Sequence, residues 1–454
     1  MISFTDLTFL FRFLPIFLLA YYLVPAKYKN IVMLVGSIAF YAFGEPVSIF
    51  LLLGLTVVNY FLALYSSRKS HNESKNKKNK ILFIGVIVLD IAVLAAFKCL
   101  ATFVDNSLWP LGLSFYLFKM ISFQLDLRKG KFKDMPSFWN LCTYFVMFPQ
   151  VTQGPIMRYE EGAFEEEKKL SWEKAEEGLK YFILGFAMKT ILADRIGILW
   201  NDLGMYGYES ISTPLAWLGA FAYSFELYFD FWGYSLMSSG ILVALGYDFI
   251  ENFNHPYASK SISSFYRNWH VTLGAFFRDY VYFPMGGSRC DKKRMCINLG
   301  VVWILTGLWH GNGINFLMWG VILGILIILE KLFYGKKLES IPVAGNVYVC
   351  ILIPLTWVVF AINNVSDMGV FFSRLFPFFG KASGVVNAND VLDYLRDYWV
   401  LFAASIVLCI PKCAQIYKKY SKHCITSILL VILFWISIYF SASQAGNPFM
   451  YLNF

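Results

Sequence analysis

The sequence predicts an all-α, polytopic membrane protein, and three observations predict it. Of 454 residues, 58% are hydrophobic and 19% aromatic, whereas 15% carry charge. Apolar runs recur along nearly the whole chain, as at 81–97, 301–309 and 425–440. Many of them approach the roughly 20 residues that cross a hydrocarbon core. The short alternating strands of a membrane barrel do not occur in the pattern.

Taken in order, the apolar runs place spans near 6–25, 30–45, 48–65, 81–97, 108–127, 138–157, 176–199, 214–246, 296–309, 313–331, 345–365, 398–411 and 425–441. The opening MISFTDLTFLFRFLPIFLLAYYLVP has neither a basic leader nor a small-residue cleavage site. It reads as a first span rather than a removed signal. The run 214–246 is long enough for one tilted helix or a broken pair. The segment 164–177, FEEEKKLSWEKAEE, is charged and helix-favouring and belongs at a surface. Residues 251–294 are too polar to span and rich in Trp, Tyr, Arg and His, which suits short interfacial or re-entrant helices. No internal repeat is visible.

The formal net charge of +9 has a local origin. The segment 67–80, SRKSHNESKNKKNK, carries Arg68, Lys69, Lys75, Lys77, Lys78 and Lys80, and further basic loops fall near 128–133, 289–294, 332–337 and 412–422. The positive-inside rule makes such loops cytoplasmic. Both termini and the basic-poor loop 366–397 then fall on the extracytoplasmic side. Nucleic acid is excluded as a partner, because each basic run sits between apolar spans; the lipid bilayer is the partner the composition demands. The eight cysteines form no C-x-x-C and pair with no His at metal spacing, so free thiols are expected, Cys290 and Cys296 included.

Chemistry narrows to few residues. Of five histidines, His71 and His423 lie in basic loops, and His255 precedes a proline and reads as structural. His310, in LTGLWHGNG, ends an apolar run, and an ionisable residue there is a functional candidate by default. A neutral imidazole can take a proton from a hydroxyl, and Gly311 and Gly313 leave room beside the ring. His270, in SFYRNWHVTL, is the weaker signal, since its Arg and Asp neighbours suit an interfacial anchor. A metal site built from both histidines with Glu226 or Asp230 lacks any ligand spacing and is not expected. Asp90, Asp126, Glu226 and Asp230 lie in apolar surroundings and keep a proton-coupled transporter open as a rival. A transporter of the inverted-repeat kind would show two similar halves, which this chain does not.

Several segments together resemble the membrane-bound O-acyltransferases, in their bacterial alginate O-acetylation branch. They are PLGLSFYLFKMISFQLDLRKGKF, FVMFPQVTQGPIMRY, YSFELYFDFWGYSLMSSGILVALGYDF, ENFNHPYASKSISSFYRNWHVTLGAFFRDYVYFPMGGSR and LTGLWHGNGINFLMWG, in the family's order. The resemblance runs from about residue 108 to the end, with core motifs in 108–331 of a single membrane domain 1–454. It implies a helical bundle around a transmembrane tunnel, with His310 and His270 as the catalytic pair. Trp309 and Asn312 flank His310 in the same motif, and Glu226 and Asp230 belong to the substrate-facing motif. Here Trp232 and Leu236 stand where the family pattern has Ser and Asp, and Glu226 where it has Gln.

The tail 447–454, NPFMYLNF, resembles an F-x-Y-x-x-F motif of bacterial acyl exporters. The resemblance makes Tyr451 a transient acyl carrier held by Phe449 and Phe454. A phenol is acidic enough to make an activated ester, and burial of large side chains would anchor the tail. The resemblance further implies acetyl-CoA or a similar acyl thioester as donor, without a metal. It implies an extracytoplasmic polysaccharide as acceptor, an esterase-like extracytoplasmic partner that completes delivery, and residence in the bacterial inner membrane. D-alanyl transfer to teichoic acid is the alternative within the class.

Overall fold

A computed structural model describes residues 3–67, 73–132, 134–378, 386–443 and 449–450. Among these the regular structure is helical, apart from one isolated antiparallel bridge between Phe253 and Trp269. The described helices divide between two compact units, Met1–Leu184 with Tyr234–Glu251 and Ser441–Asn453, and Gly185–Gly233 with Asn252–Phe440. By length and apolarity, Ser48–Ser66, Asn79–Phe103, Ile314–Ser340, Ala344–Ala361 and Cys424–Ser443 can each cross a bilayer. The pair Asp390–Leu408 and Pro411–Tyr420, bent by 79°, forms a sixth candidate. The all-helical, multi-pass reading of the sequence therefore holds.

The first unit begins with α1 (Leu14–Leu23), which continues a π-helical segment Phe9–Phe13. It goes on through α2 (Lys29–Gly44), α3 (Ser48–Ser67), α4 (Glu73–Phe103), α5 (Leu113–Arg128), α6 (Phe138–Val146), α7 (Phe148–Val151) and most of α8 (Trp172–Ala187). Polar groups inside apolar helices must find partners, because lipid offers none. The side-chain amide of Asn59 on α3 donates to Asp90 Oδ1 on α4 at 2.9 Å. Gln124 on α5 donates in turn to the Asn59 carbonyl at 2.9 Å. One buried chain of hydrogen bonds thus ties three helices. Asp126 pairs with Lys131 at 3.0 Å.

The predicted span 138–157 is not one helix. It breaks at Met147, whose backbone is extended (φ −52°, ψ 121°), between α6 and the four residues of α7. Pro149 lies at the start of α7. It has no N–H to continue a ladder from α6, and its ring opposes the carbonyl a turn earlier.

In the second unit a π-helical segment Met188–Ala193 leads into α9 (Asp194–Tyr206). The helix α10 (Thr213–Ala244, 32 residues) is continuous rather than a broken pair, and its last turns belong to the first unit. Then come α11 (Ile262–Asn268), α12 (Val271–Phe277), α13 (Lys292–His310), α14 (Ile314–Leu329), α15 (Gly335–Ser340) and α16 (Ala344–Ala361). The polar stretch 251–294 does form short helices. The remainder is α17 (Val365–Leu375), α18 (Asp390–Leu408), α19 (Pro411–Tyr420) and α20 (Cys424–Ser443). The expected loop 366–397 therefore contains α17, which buries Met368, Phe371 and Leu375 at helical spacing. All eight cysteines are free.

Candidate functional site

His310 is the last residue of α13. The turn Gly311-Asn312-Gly313 ends the helix and α14 runs back beside it. Two glycines permit this closeness. A Cβ on Gly307 would sit 2.6 Å from the Phe316 carbonyl oxygen, and one on Gly320 would sit 2.5 Å from that of Trp303. The hairpin buries the His310 imidazole to 4% exposure. Trp319 and Phe360 meet the ring edge-on at 5.0 and 5.2 Å, and Trp309 lies 4.5 Å away. The space expected beside Gly311 is taken by the Phe316 ring. Asn312 is exposed at the turn.

His270 sits at the junction of α11 and α12. The start of α11 is held by Glu330, which follows α14. Its carboxylate accepts from the Ile262 and Ser263 backbone N–H groups at 2.6 and 2.9 Å and from Ser263 Oγ at 2.6 Å. At the other end the backbone of His270 is left-handed (φ 47°, ψ 54°), a conformation that costs a side-chain-bearing residue about 1 kcal/mol. A short ladder compensates. Asn254 N–H donates to the Asn268 carbonyl and Val271 N–H to the Asn252 carbonyl, both at 2.9 Å, around the Phe253–Trp269 bridge. This turn aims the imidazole inward, where 3% of it is exposed. Phe231 of α10 meets the ring edge-on at 4.6 Å. Burial pushes the imidazole pKa down to about 3, which favours the neutral ring.

Trp309 joins the two. Its ring lies 6.1 Å from His270 and 4.5 Å from His310. Two buried imidazoles thus share one indole, inside an aromatic layer that extends through Trp319 to Trp357 at 5.6 Å and on to Trp269 at 5.1 Å. A neutral imidazole in such a place can take a proton from a hydroxyl as it attacks an acyl carbon. The family model for membrane-bound O-acyltransferases matches residues 37–336. The chain belongs to the membrane-bound O-acyltransferase family. Among its relatives, the probable alginate O-acetylase AlgI of Pseudomonas syringae pv. tomato is 34% identical over 397 residues, 83% of this chain and 75% of that protein. The peptidoglycan O-acetyltransferase of Helicobacter pylori is 26% identical over 98% of this chain and 96% of its own. The teichoic acid D-alanyltransferase of Bacillus subtilis is 30% identical over 51% of this chain and 62% of its own.

Glu226 and Asp230 of this O-acyltransferase lie on α10, and Phe449 lies in the first unit. Asp230 pairs with Lys189 of the π-helical segment at 2.7 Å, and Lys189 pairs with Asp194 at 2.6 Å. Glu226, one turn before Asp230, is 7% exposed and lies against Gly197, where any larger residue would strike its carboxylate. Phe449 is fully buried in the first unit, edge-on to Tyr234 at 4.9 Å, and Tyr234 stacks on Phe4 at 4.8 Å. Tyr451 and Phe454 lie outside the described residues. Among the described residues no group of three or more His, Cys, Asp or Glu gathers as a metal site.

Sequence reasoning missed two features of the acyltransferase. Asn252 hydrogen-bonds His270 from 18 residues upstream, a separation that carries no periodic signal. The second is a cavity of about 590 Å³ in the second unit, lined by Lys260, Arg267, Asn254, Asn268, His255 and Glu339 among others. Glu339 already accepts from Ser261 Oγ at 2.8 Å, so two cations face one engaged carboxylate. Asn254 and Asn268 belong to the same ladder as Asn252 and His270, a few residues further along. The only sequence signal was the polar, aromatic composition of 251–294.

Proposed function

We propose that the protein moves an acyl group, most simply acetyl, from a cytosolic thioester through a tunnel in the bundle to an extracytoplasmic polysaccharide hydroxyl, with Tyr451 as carrier. The observation that carries this reading is the pair of buried imidazoles sharing Trp309. In the first step His310 accepts the phenol proton while the Tyr451 oxygen attacks the thioester carbonyl. The tetrahedral adduct collapses, the C–S bond breaks, and the proton goes to the departing sulfur. In the second step a hydroxyl attacks the aryl ester, and the phenol re-forms. His270 assists by holding the reacting groups. Burial of Phe449 supports a tail anchored by its aromatic residues. The similarity to alginate and peptidoglycan O-acetylating relatives supports a cell-envelope or secreted polysaccharide as acceptor. An esterase-like extracytoplasmic partner would complete delivery, from an inner membrane where both termini face outward.

Two experiments address the parts. Membranes are incubated with acetyl-coenzyme A and the C-terminal peptide is read by mass spectrometry. An acetyl group on Tyr451, absent from His310→Ala, is the expected result; full transfer by Tyr451→Phe would remove the tail from the pathway. The cavity tests the donor. Lys260 and Arg267 suit the phosphates of a coenzyme A thioester, since charge-assisted hydrogen bonds are stronger than neutral ones. Lys260→Ala with Arg267→Ala should raise the KM for acetyl-coenzyme A about tenfold, or ~1.4 kcal/mol, while kcat changes little. An unmoved KM would take the cavity off the donor's route.

A second reading, D-alanyl transfer to teichoic acid, is favoured by the similarity to the Bacillus subtilis relative. Parallel assays with acetyl and D-alanyl thioesters separate the two. Of the three carboxylates that proton-coupled transport would use, Asp126, Glu226 and Asp230, two are held in ion pairs. Asp126 is engaged by Lys131 in one unit and Asp230 by Lys189 in the other.

A further inference from the structure

We propose that Asn252 is a positioning residue for acyl transfer, fixing His270 as the Nδ1–H tautomer and leaving Nε2 as the bare nitrogen. The proposal rests on the reading that His270 acts in transfer. The geometry decides the tautomer. Three groups converge on the Asn252 side-chain Oδ1: Thr272 N–H at 3.3 Å, Thr272 Oγ1 at 2.9 Å and His270 Nδ1 at 3.1 Å. A backbone N–H can only donate, so the Thr272 amide pins the oxygen, not the nitrogen, of the Asn252 amide in this position. An amide oxygen can only accept, so the imidazole nitrogen that faces it must carry the hydrogen. In a neutral ring the other nitrogen then holds the lone pair. Nε2 is buried and has no hydrogen-bond partner among the described residues, the state a hydrogen-bond acceptor needs if it is to hold a reacting hydroxyl.

The backbone shows how closely Asn252 is held to this task. Its carbonyl accepts from Val271 N–H at 2.9 Å while its side chain serves His270 and Thr272. Both groups of one residue therefore brace the left-handed turn at His270. Phe231 from α10 and Trp309 from α13 add ring contacts to the imidazole at 4.6 and 6.1 Å. Neither is ionisable, and burial is what lowers the imidazole pKa.

The test measures thiol release from acetyl-coenzyme A across pH by the full-length protein in lipid nanodiscs, for wild type, Asn252→Ala, Asn252→Asp and His270→Asn. Asn252→Ala frees the tautomer and the ring, and kcat should fall about 10- to 100-fold, the size of loss seen when the partner orienting a metal-bound histidine is removed, with KM within about twofold. Asn252→Asp keeps an acceptor of the same shape, so Nε2 stays bare. Its carboxylate stabilises the imidazolium, so the acid limb of kcat should move upward by about one pH unit or more, with activity retained above it. A merely structural role would lower the yield of folded protein in both variants and leave the acid limb of kcat unmoved. That result, or wild-type kcat in Asn252→Ala, overturns the proposal. If His270→Asn is fully active, the reading of His270 itself fails. If His270→Asn is inactive and both Asn252 variants behave as wild type, the positioning role alone fails.

Discussion

The His310→Ala variant is expected to insert and purify like wild type and to lose acyl transfer by about 10³-fold, within the range attributed to a positioned general base. The imidazole is the only ionisable group among the rings that enclose it, since Trp309, Trp319 and Phe360 offer no base. The fold should tolerate the change, because the hairpin is held by the glycine contacts of α13 and α14 rather than by the ring. Truncation leaves a small apolar hole, so His310→Phe is the companion variant: it refills the aromatic cage and should be equally inactive. Thermal unfolding in detergent would separate loss of fold from loss of chemistry. Full transfer by either variant would mean that the proton leaves the attacking hydroxyl by another route.

Lys189→Met should be the most destabilising single change in the second unit, by about 3–5 kcal/mol, the cost typical of breaking a buried ion pair from one side. Lys189 is 1% exposed and holds Asp194 and Asp230 at 2.6 and 2.7 Å. Its removal strands two carboxylates with Glu226 one turn away on α10, and like charges in apolar surroundings cannot all stay ionised. The variant Lys189→Met/Asp194→Asn/Asp230→Asn, with no charge left to strand, should recover most of the lost thermal stability. If Lys189→Met unfolds at the wild-type temperature, the cluster is not structural, and a role for Glu226 and Asp230 toward substrate regains weight.

The helices were readable wherever an apolar run had polar ends, as in 48–65 and 425–441. Reading failed where a run hid a backbone break. The stretch 138–157 is apolar enough to span, and only Pro149 announces that it does not stay helical. It failed again where helical spacing was masked by exposed residues, as in α17. His310 was visible because imidazole at the end of an apolar run is unusual. The grouping of His270 with His310 came from resemblance, since a separation of forty residues carries no periodic signal. Asn252 was invisible for a related reason: what places it is a two-segment ladder, and no local pattern encodes which segments will pair. Lys189 did leave a mark, a single cation in the apolar run FILGFAMKTILA, whose meaning depended on finding Asp230.

Glu330 has a wider reach than a helix cap. The hairpin turn after His310 starts α14, a rod of about 24 Å at 1.5 Å per residue over its 16 residues. At its far end the Glu330 carboxylate grips the start of α11, and the far end of α11 delivers His270. The two imidazoles are therefore the ends of a closed frame with two struts, joined on one side by Trp309 and on the other by a single carboxylate. A frame of this kind transmits error. Loosening the distant corner would skew the alignment of the rings without touching either, and an inherited change at Glu330 would present as an enzyme that folds, reaches the membrane and turns over poorly.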